Sequence, residues 1–416
     1  MTRVLILNRF FHPDHSATSQ LATDLATDLA ARGFEVAAIA SRQRYDDPSA
    51  RLAPTEVHAG VRIRRVGTTR FGRQNLMGRS FDYLSFYLGA SFALWREARP
   101  GTVVIAMTDP PLLGVPALLV AHLRGARCLN WLQDVFPEVA EGLDLLRSRV
   151  LAALLRAARN WSLRHADAVV VIGGLMAARV APFCASQPVV IPNWALEEQK
   201  DSPTFDTAYN AHAANPLRER WGLGKAFIVG YSGNMGRAHR LDELIDAASA
   251  LRLQPSLRFV LIGDGAQRAA LEARVRELRL QNVMFQPYQP REGLRESLSL
   301  PDIHMVSLDE RLEGLIVPSK FVGAIAVGRP ILWIGAADGE VGGLIRDSGC
   351  GVGVPAGDVA ALTQALRELR EDHASGGARL LTMARQAQAL WRTRFRRSDA
   401  LAAWAHTIER CARQER

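Results

Sequence analysis

An α/β fold is what this sequence predicts: two consecutive Rossmann-like domains, each a doubly wound parallel sheet, facing each other across a central cleft. Three observations lead there. Short β-branched apolar runs alternate with longer stretches of helical periodicity from the first residues onward, as parallel strands joined by crossover helices do. That alternation stops in a polar, Asp-, Ser-, Asn- and Pro-containing stretch at 197–214 and then starts again. The chain has 416 residues, 48% of them hydrophobic and 22% charged, which is ample for more than one buried core.

Residues 4–7 read as the first strand, and 20–32 as the helix after it, because Leu21, Leu25 and Leu29 recur at helical spacing. Further strands are expected at 34–39, 102–107, 127–132 and 168–172, giving an N-terminal Rossmann-like domain over 1–195. A linker is placed at 196–225. The second series has strands at 227–231, 258–262, 283–285, 303–308, 331–334 and 351–354. Helices are read between them at 241–252, 266–279, 319–328, 341–348 and 358–371, giving a C-terminal domain over 226–377. Residues 378–416 read as helical throughout and are expected to pack back toward the N-terminal domain.

Of the 51 basic residues only Lys200, Lys225 and Lys320 are lysine, so the net charge of +9 rests on arginine and suits an anionic partner. The arginines form no recognised nucleic-acid motif, and no nucleic acid is expected. Cys128, Cys184, Cys350 and Cys411 lack the paired spacing of a zinc site or disulfide framework. The apolar stretches at 81–95 and 110–122 fall short of the ~20 residues of a bilayer span. The N-terminus lacks the length and cleavage site of a signal peptide, so a cytoplasmic location is expected.

The stretch from Glu313 to Pro330 carries the most chemical information. Ser319 reads as the N-cap of a helix whose first amides would face an anion, with Lys320 on the first turn. A cation there opposes the helix dipole unless a negative group meets it; a solvated lysine is the alternative. No Asp-x-Asp occurs in the chain, so no carboxylate pair offers to hold a metal against a diphosphate, and neither metal nor other cofactor is expected.

An acidic residue, a glycine, a Pro-Ser-Lys turn and a helix ending in Gly-x-Pro resemble the donor-site segment of glycosyltransferase family 4, a family of GT-B fold. The similarity is to its bacterial surface-polysaccharide branch, that of colanic acid and O-antigen N-acetylfucosaminyl-type transferases. Five further segments match that branch in order: 16–20, 133–138, 191–193, 231–239 and 262–265. The resemblance implies transfer of a sugar, an N-acetylated hexose for example, from a nucleotide diphosphate, uridine diphosphate being favoured. It implies a lipid-linked saccharide acceptor in polysaccharide assembly and retention of anomeric configuration.

Residue by residue, the resemblance implies that Glu313 touches hydroxyls of the donor sugar. The family's second glutamate, a ribose ligand, falls on Gly323, and Glu340 is its possible substitute. The usual arginine and lysine on the diphosphate fall near Asn234 and His239, so Arg237, His239 and Lys320 become the phosphate candidates. Gly233, Asn234, Gly263, Asp264, Gly265 and Ser319 complete the donor list. A solvated helix start for Arg237 and a simple cap for His239 are the bland readings.

In the N-terminal domain Ser16 and Thr18 offer hydroxyls to a phosphate or sugar, while Asp14 beside Pro13 is equally a turn former. Asp134 follows a buried-looking strand where the family often has a histidine-aspartate pair; Gln133 replaces the histidine, and capping is the alternative for Asp134. If configuration is inverted, Asp14 or Asp134 would be the base.

Arg64, Arg65, Arg70 and Arg73, interleaved with Phe71 and followed by an aromatic helix, suit an anionic lipid surface, with a loop of arginines as the alternative. A peripheral position on the inner face of the cell membrane is therefore expected. Two other functions stay open: a non-hydrolysing nucleotide-sugar epimerase, and a catalytically lapsed nucleotide-sugar binding protein, the latter on Gly323 alone.

Overall fold

The computed structural model describes residues 2–45, 47, 49–71, 76–195, 215–290 and 293–413, with backbone only at 76 and 77. The chain divides into two compact units. The first comprises Met1–Leu196, Gly314–Ile316 and Arg397–Arg416, the second Glu197–Glu313 and Val317–Arg396. Residues 196–214 of the expected linker lie outside the described residues.

The first unit holds strands β1 (Arg3–Leu7), β2 (Glu35–Ser41), β3 (Thr55–His58), β4 (Val61–Val66), β5 (Thr102–Ala106), β6 (Arg127–Leu132), β7 (Ala168–Val171) and β8 (Val189–Val190). They form one sheet in the order β3-β4-β2-β1-β5-β6-β7-β8. Only β3 runs antiparallel to its neighbour. β1 and β5 are buried at every residue, as central parallel strands covered on both faces must be. Helices α1 (Ala17–Ala31), α2 (Leu76–Glu97), α3 (Gly114–Leu123), α4 (Glu138–Gly142), α5 (Arg149–His165) and α6 (Gly174–Val180) complete the N-terminal part.

The second unit holds β9 (Phe227–Ser232), β10 (Leu257–Ile262), β11 (Val283–Gln286), β12 (Ile303–Ser307), β13 (Ile331–Ile334) and β14 (Gly351–Val354), all parallel, in the order β11-β10-β9-β12-β13-β14. Its helices are α7 (Pro216–Arg220), α8 (Leu241–Ala250), α9 (Arg268–Glu277), α10 (Leu294–Ser299), α11 (Ser319–Ala326), α12 (Glu340–Ser348), α13 (Val359–Ala374) and α14 (Ala378–Arg394). The helical C-terminal stretch is broken at Phe395. α14 belongs to the second unit, whereas α15 (Arg397–Arg413) returns to the first.

α15 enters a core rather than decorating a surface. Leu401, Trp404 and Ile408 are fully buried against Leu129, Trp131 and Val170 of the first sheet. The Trp404 and Trp131 ring centroids lie 4.6 Å apart, and the Trp194 ring stacks on Trp131 at 6.1 Å. Arg397 clamps Asp24 of α1 with two hydrogen bonds of 2.8 and 3.0 Å, and the Trp194 indole donates to the same carboxylate at 2.7 Å. The opposite sheet face is covered by α2 and α3 through Phe86, Leu94 and Leu118.

Strand order reverses between β1 and β5 in the first unit and between β9 and β12 in the second. In open α/β sheets such reversals open a crevice at the carboxyl ends of the strands. In the second unit this places the loops after β9 and β12 on either side of the crevice.

Candidate active site

β9 ends at Ser232 and turns at Gly233, whose φ of +129° suits glycine. Glycine also makes room: a Cβ there would lie 2.8 Å from Lys320 Cε, so the lysine stem crosses directly over this turn. Lys320 Nζ lies 2.8 Å from His239 Nε2 and 5.2 Å from the centroid of the Tyr231 ring. His239 Nδ1 is 2.7 Å from the Ser307 carbonyl oxygen. A carbonyl only accepts, so Nδ1 carries the proton and Nε2 presents its lone pair to the lysine ammonium. Burial, the Lys320 charge next, pushes His239 down to about 3, with the Ser307 bond opposing. Burial pulls Lys320 down to about 7. The site thus contains a neutral imidazole and an ammonium poised to lose its proton near neutrality.

Ser307, at the end of β12, binds the turn twice, since its hydroxyl also accepts from Arg240 N–H at 3.0 Å. Met235 N–H donates to the Asp264 carbonyl at 2.7 Å, locking the loops after β9 and β10 together. A Cβ on Gly263 would sit 2.2 Å from the Gly233 carbonyl oxygen, and one on Gly265 2.4 Å from Asn234 Oδ1. These glycines are therefore required by loop packing. The Asp264 carboxylate accepts from Gly265 N–H at 2.7 Å, within its own turn. Asn234 and Arg237 are exposed.

Glu313 follows a 3₁₀ turn, Glu310–Leu312, that the Asp309 carboxylate caps. Its own carboxylate reaches the start of α12, where Glu340 N–H donates to Oε2 at 3.2 Å. A Cβ on Gly339 would lie 2.4 Å from Glu313 Cδ. Burial raises the Glu313 pKa, the Glu340 amide opposes, and the carboxylates of Glu340, Asp338 and Glu310 push it further up. Glu340 thus meets Glu313 through its backbone. Ser319 is not the cap expected: Pro318 occupies that position, without a side-chain cap bond, and Ser319 is an exposed residue of the first turn. The helix begins one residue early because Phe321 N–H already donates to the Pro318 carbonyl at 3.1 Å.

In the first unit Asp14 is buried, and both carboxylate oxygens are engaged. Oδ1 accepts from the Ser16 amide at 2.8 Å and the Ser16 hydroxyl at 2.5 Å, and Oδ2 from Tyr45 N–H. It orders the loop before α1, the turn-forming alternative. Thr18 is half-buried on the first turn of that helix. Gln133 and Asn193 exchange amide hydrogen bonds at 3.0 and 2.8 Å.

Asp134 lines a cavity of about 30 Å³ with Thr108, Asn130, Arg159 and Ser162. Burial lifts its pKa to about 6, the Thr108 hydroxyl opposes by hydrogen bonding, and the Asp109 charge adds to the rise. Among the described residues Asp134 Oδ1 has no hydrogen-bond partner. Its backbone instead pairs antiparallel with Ile316, so it caps no helix.

In the basic segment the expectation for Arg65 is corrected. Arg64 and Arg65 lie in β4, a strand the sequence reading missed. The Arg65 side chain is only 1% exposed and bonds the His12 carbonyl and the Glu56 carboxylate, both at 2.6 Å. Arg64 pairs with Glu97 at 3.3 Å. Both arginines tie the sheet together by ion pairs; buried Arg65 cannot meet a membrane, whereas Arg64 keeps 37% of its side chain exposed. Arg70 reaches the Ala50 carbonyl at 3.5 Å, Phe71 is exposed and packs on Phe81, and Arg73 lies outside the described residues. No helix among the described residues is long and apolar enough to cross a membrane.

Sequence reasoning missed Ser307, Gly339 and Thr108, and gave Tyr231 no role beyond opening the matched segment 231–239. Only Gly339, a glycine between a strand and a helix, carried a signal, that of an N-cap.

Two Rossmann-type units of this topology, one with a cation and a half-buried carboxylate at its switch point, are the architecture of the GT-B fold. The family described as "Glycosyl transferase 4-like domain" matches residues 17–194, and "Glycosyl transferases group 1" matches residues 226–372. Together these matches span most of both units, and the chain belongs to this glycosyltransferase family.

The chain is 27% identical to the "Putative colanic acid biosynthesis glycosyl transferase WcaI" of Escherichia coli (strain K12), over 88% of this chain and 91% of that one. Among solved structures it superposes on sucrose-phosphate synthase from Thermosynechococcus elongatus with a TM-score of 0.72 at 16% identity, covering 99% and 98% of the two chains. It superposes on Anabaena Alr3699/HepE in complex with UDP-glucose with a TM-score of 0.70 at 16% identity, covering 99% and 100%.

Proposed function

We propose that this enzyme transfers a sugar, an N-acetylated hexose in the favoured case, from a uridine diphosphate donor to a lipid-linked saccharide in bacterial polysaccharide biosynthesis. It works without a metal, retains anomeric configuration, and acts at the inner face of the cell membrane. The observation that carries the reading is the Lys320–His239 contact at the switch point of the second sheet. It holds a cation where the amides of α11 also point, and this combination suits a diphosphate. The similarity to HepE, whose structure holds UDP-glucose, supports the choice of nucleotide. That to WcaI, named for colanic acid biosynthesis, supports the class of acceptor.

In this reading the bond from the anomeric carbon to the diphosphate oxygen breaks while the acceptor oxygen bonds to the same face. The acceptor proton passes to the departing phosphate oxygen. Lys320 and Arg237 stabilise the charge that develops on the diphosphate, an electrostatic contribution that grows toward the transition state. Glu313 holds the sugar hydroxyls as positive charge builds at the anomeric carbon.

The test incubates the full chain with a panel of nucleotide sugars, with and without a lipid-linked saccharide extract, in chelator. Transfer to lipid with the product in the donor's anomeric configuration is expected. Conversion of a donor with no acceptor present would replace transfer by epimerisation, and tight donor binding with no turnover across the panel would leave a binding protein.

A further inference from the structure

α2 buries one side against the first sheet and leaves the other bare. Phe81, Leu84, Leu88, Phe92 and Trp95 recur every three or four residues along its outer face, and all five are exposed, Leu88 by 66% and Phe92 by 62%. α2 packs on α3 and α3 on α5, so the three helices form one layer. That layer continues the apolar surface with Leu119 and Leu123 on α3 and with Leu151, Leu154 and Trp161 on α5. Of the twenty large apolar side chains exposed among the described residues, eleven stand on these three helices, whereas three stand on the described residues of the second unit. Such concentration on one side of one unit marks a contact surface.

Charge identifies what it contacts. α3 and α5 contain no acidic residue, and the acids of α2 are Asp82, which is buried, and Glu97, which binds Arg3 and Arg64. Arg147, Arg149 and Arg164 are exposed beside the apolar residues of α5. The guanidinium groups of Arg96 and Arg124 lie over the Phe92 and Trp95 rings, at 5.8 and 5.1 Å. A second copy of the same face would bring arginine against arginine. An anionic surface that also accepts apolar side chains satisfies both features, and arginines flanking tryptophan and leucine suit the headgroup boundary of a bilayer.

We propose that the outer face of α2, α3 and α5 is the surface by which this protein lies on an anionic lipid bilayer. The inference deepens the lipid-acceptor reading above and moves the membrane contact away from Arg64 and Arg65 to helices carrying the aliphatic and aromatic stripe.

The test sediments the full chain with vesicles of phosphatidylglycerol and phosphatidylcholine, and with phosphatidylcholine alone, at low and high salt. Binding to the anionic vesicles that weakens with salt is expected. The double variant Leu88→Glu/Phe92→Glu should lose at least tenfold in vesicle affinity while keeping its circular dichroism and its transfer to a soluble acceptor analogue. Val57→Glu, at another exposed apolar position, should bind as the parent does. Replacing Arg147, Arg149 and Arg164 by glutamine should lower anionic binding and flatten its salt dependence. Equal binding by the double variant, or no binding by the parent at low salt, would overturn the proposal. So would a dimer in sedimentation equilibrium that the double variant dissolves, since the face would then join two copies. Intact transfer to the soluble analogue in any of these outcomes leaves the enzymatic reading standing.

Discussion

Lys320 and His239 share one short hydrogen bond, 2.8 Å from Nζ to Nε2, in which the imidazole accepts because its other nitrogen donates to Ser307. Neither nitrogen of the histidine is left for a ligand, so its part is to aim the ammonium. Burial sets the free enzyme's Lys320 near 7. An anionic diphosphate stabilises the protonated lysine and raises that value in the complex. Affinity for UDP is therefore expected to be full below about pH 7 and to fall by up to about tenfold per unit above it, until the complex also titrates. Calorimetry in buffers of different ionisation enthalpy should show proton uptake at pH 8. Lys320→Met should remove both the uptake and the slope; a parent enzyme that binds UDP equally at pH 6.5 and 8.5 refutes the assignment.

Glu313 accepts from the start of α12 and, in the proposed reaction, holds the donor sugar, and substitution can separate the two. Glu313→Gln keeps an oxygen for the Glu340 amide, so thermal stability should stay close to the parent's while turnover falls by about 10² or more. Glu313→Ala should lose the same turnover and also about 1 kcal/mol of stability through the missing helix cap. Gly339→Ala should displace the carboxylate, because its Cβ would collide with Glu313 Cδ. Steady-state kinetics beside thermal melts measures each part, and turnover of Glu313→Gln within threefold of the parent removes Glu313 from the reaction.

The pKa of Asp134, lifted to about 6 by burial, should appear as an acid limb in kcat/KM, because protonation removes the charge as pH falls through that value. Thr108 holds the pKa down, so Thr108→Val should move the limb to higher pH. A profile identical in parent, Thr108→Val and Asp134→Asn would show that this carboxyl takes no part.

Chelator is expected to leave the transfer rate within twofold. The chain has no Asp-x-Asp sequence to clamp a metal on the diphosphate. An enzyme silenced by chelator and restored by titrating Mg²⁺ or Mn²⁺ would contradict this.

Trp404→Ala should cost about 3–5 kcal/mol of stability, the range for deleting a large buried aromatic. Its ring lies between α15 and the first sheet, 4.6 Å from Trp131. Denaturant unfolding followed by circular dichroism reads the loss directly; a value below 1 kcal/mol would mean that the helix is dispensable to that core.

The parallel strands were legible because burial on both faces leaves near-continuous apolar runs, as in 4–7 and 102–106. β4 was not. It alternates buried Val61, Ile63 and Arg65 with outward Arg62 and Arg64, and an arginine buried by ion pairing reads in sequence as a surface charge. The β3–β4 hairpin was missed with it, since its two-residue loop puts Ala59 and Gly60 at positive φ without the usual asparagine or aspartate. Lys320 and Glu313 were legible through a family pattern. Their partners Ser307, Tyr231 and Gly339 were not, because each acts from a neighbouring loop or strand through a backbone atom, a ring face or empty space. Asp14 shows the converse: a carboxylate in a promising loop whose oxygens the loop itself consumes.

The return of α15 to the first unit has a consequence for how the protein is made. Residues 397–413 fill the core beside Trp131, yet the ribosome adds them only after the whole second unit. At about 5–20 residues per second, the roughly 200 residues between Leu196 and Arg397 take about 10–40 s to translate. Throughout that interval the nascent first sheet carries an uncovered apolar strip where Leu401, Trp404 and Ile408 will sit. The second unit can therefore finish folding before the first, although it is synthesised later, and the waiting strip is where a chaperone would find its client.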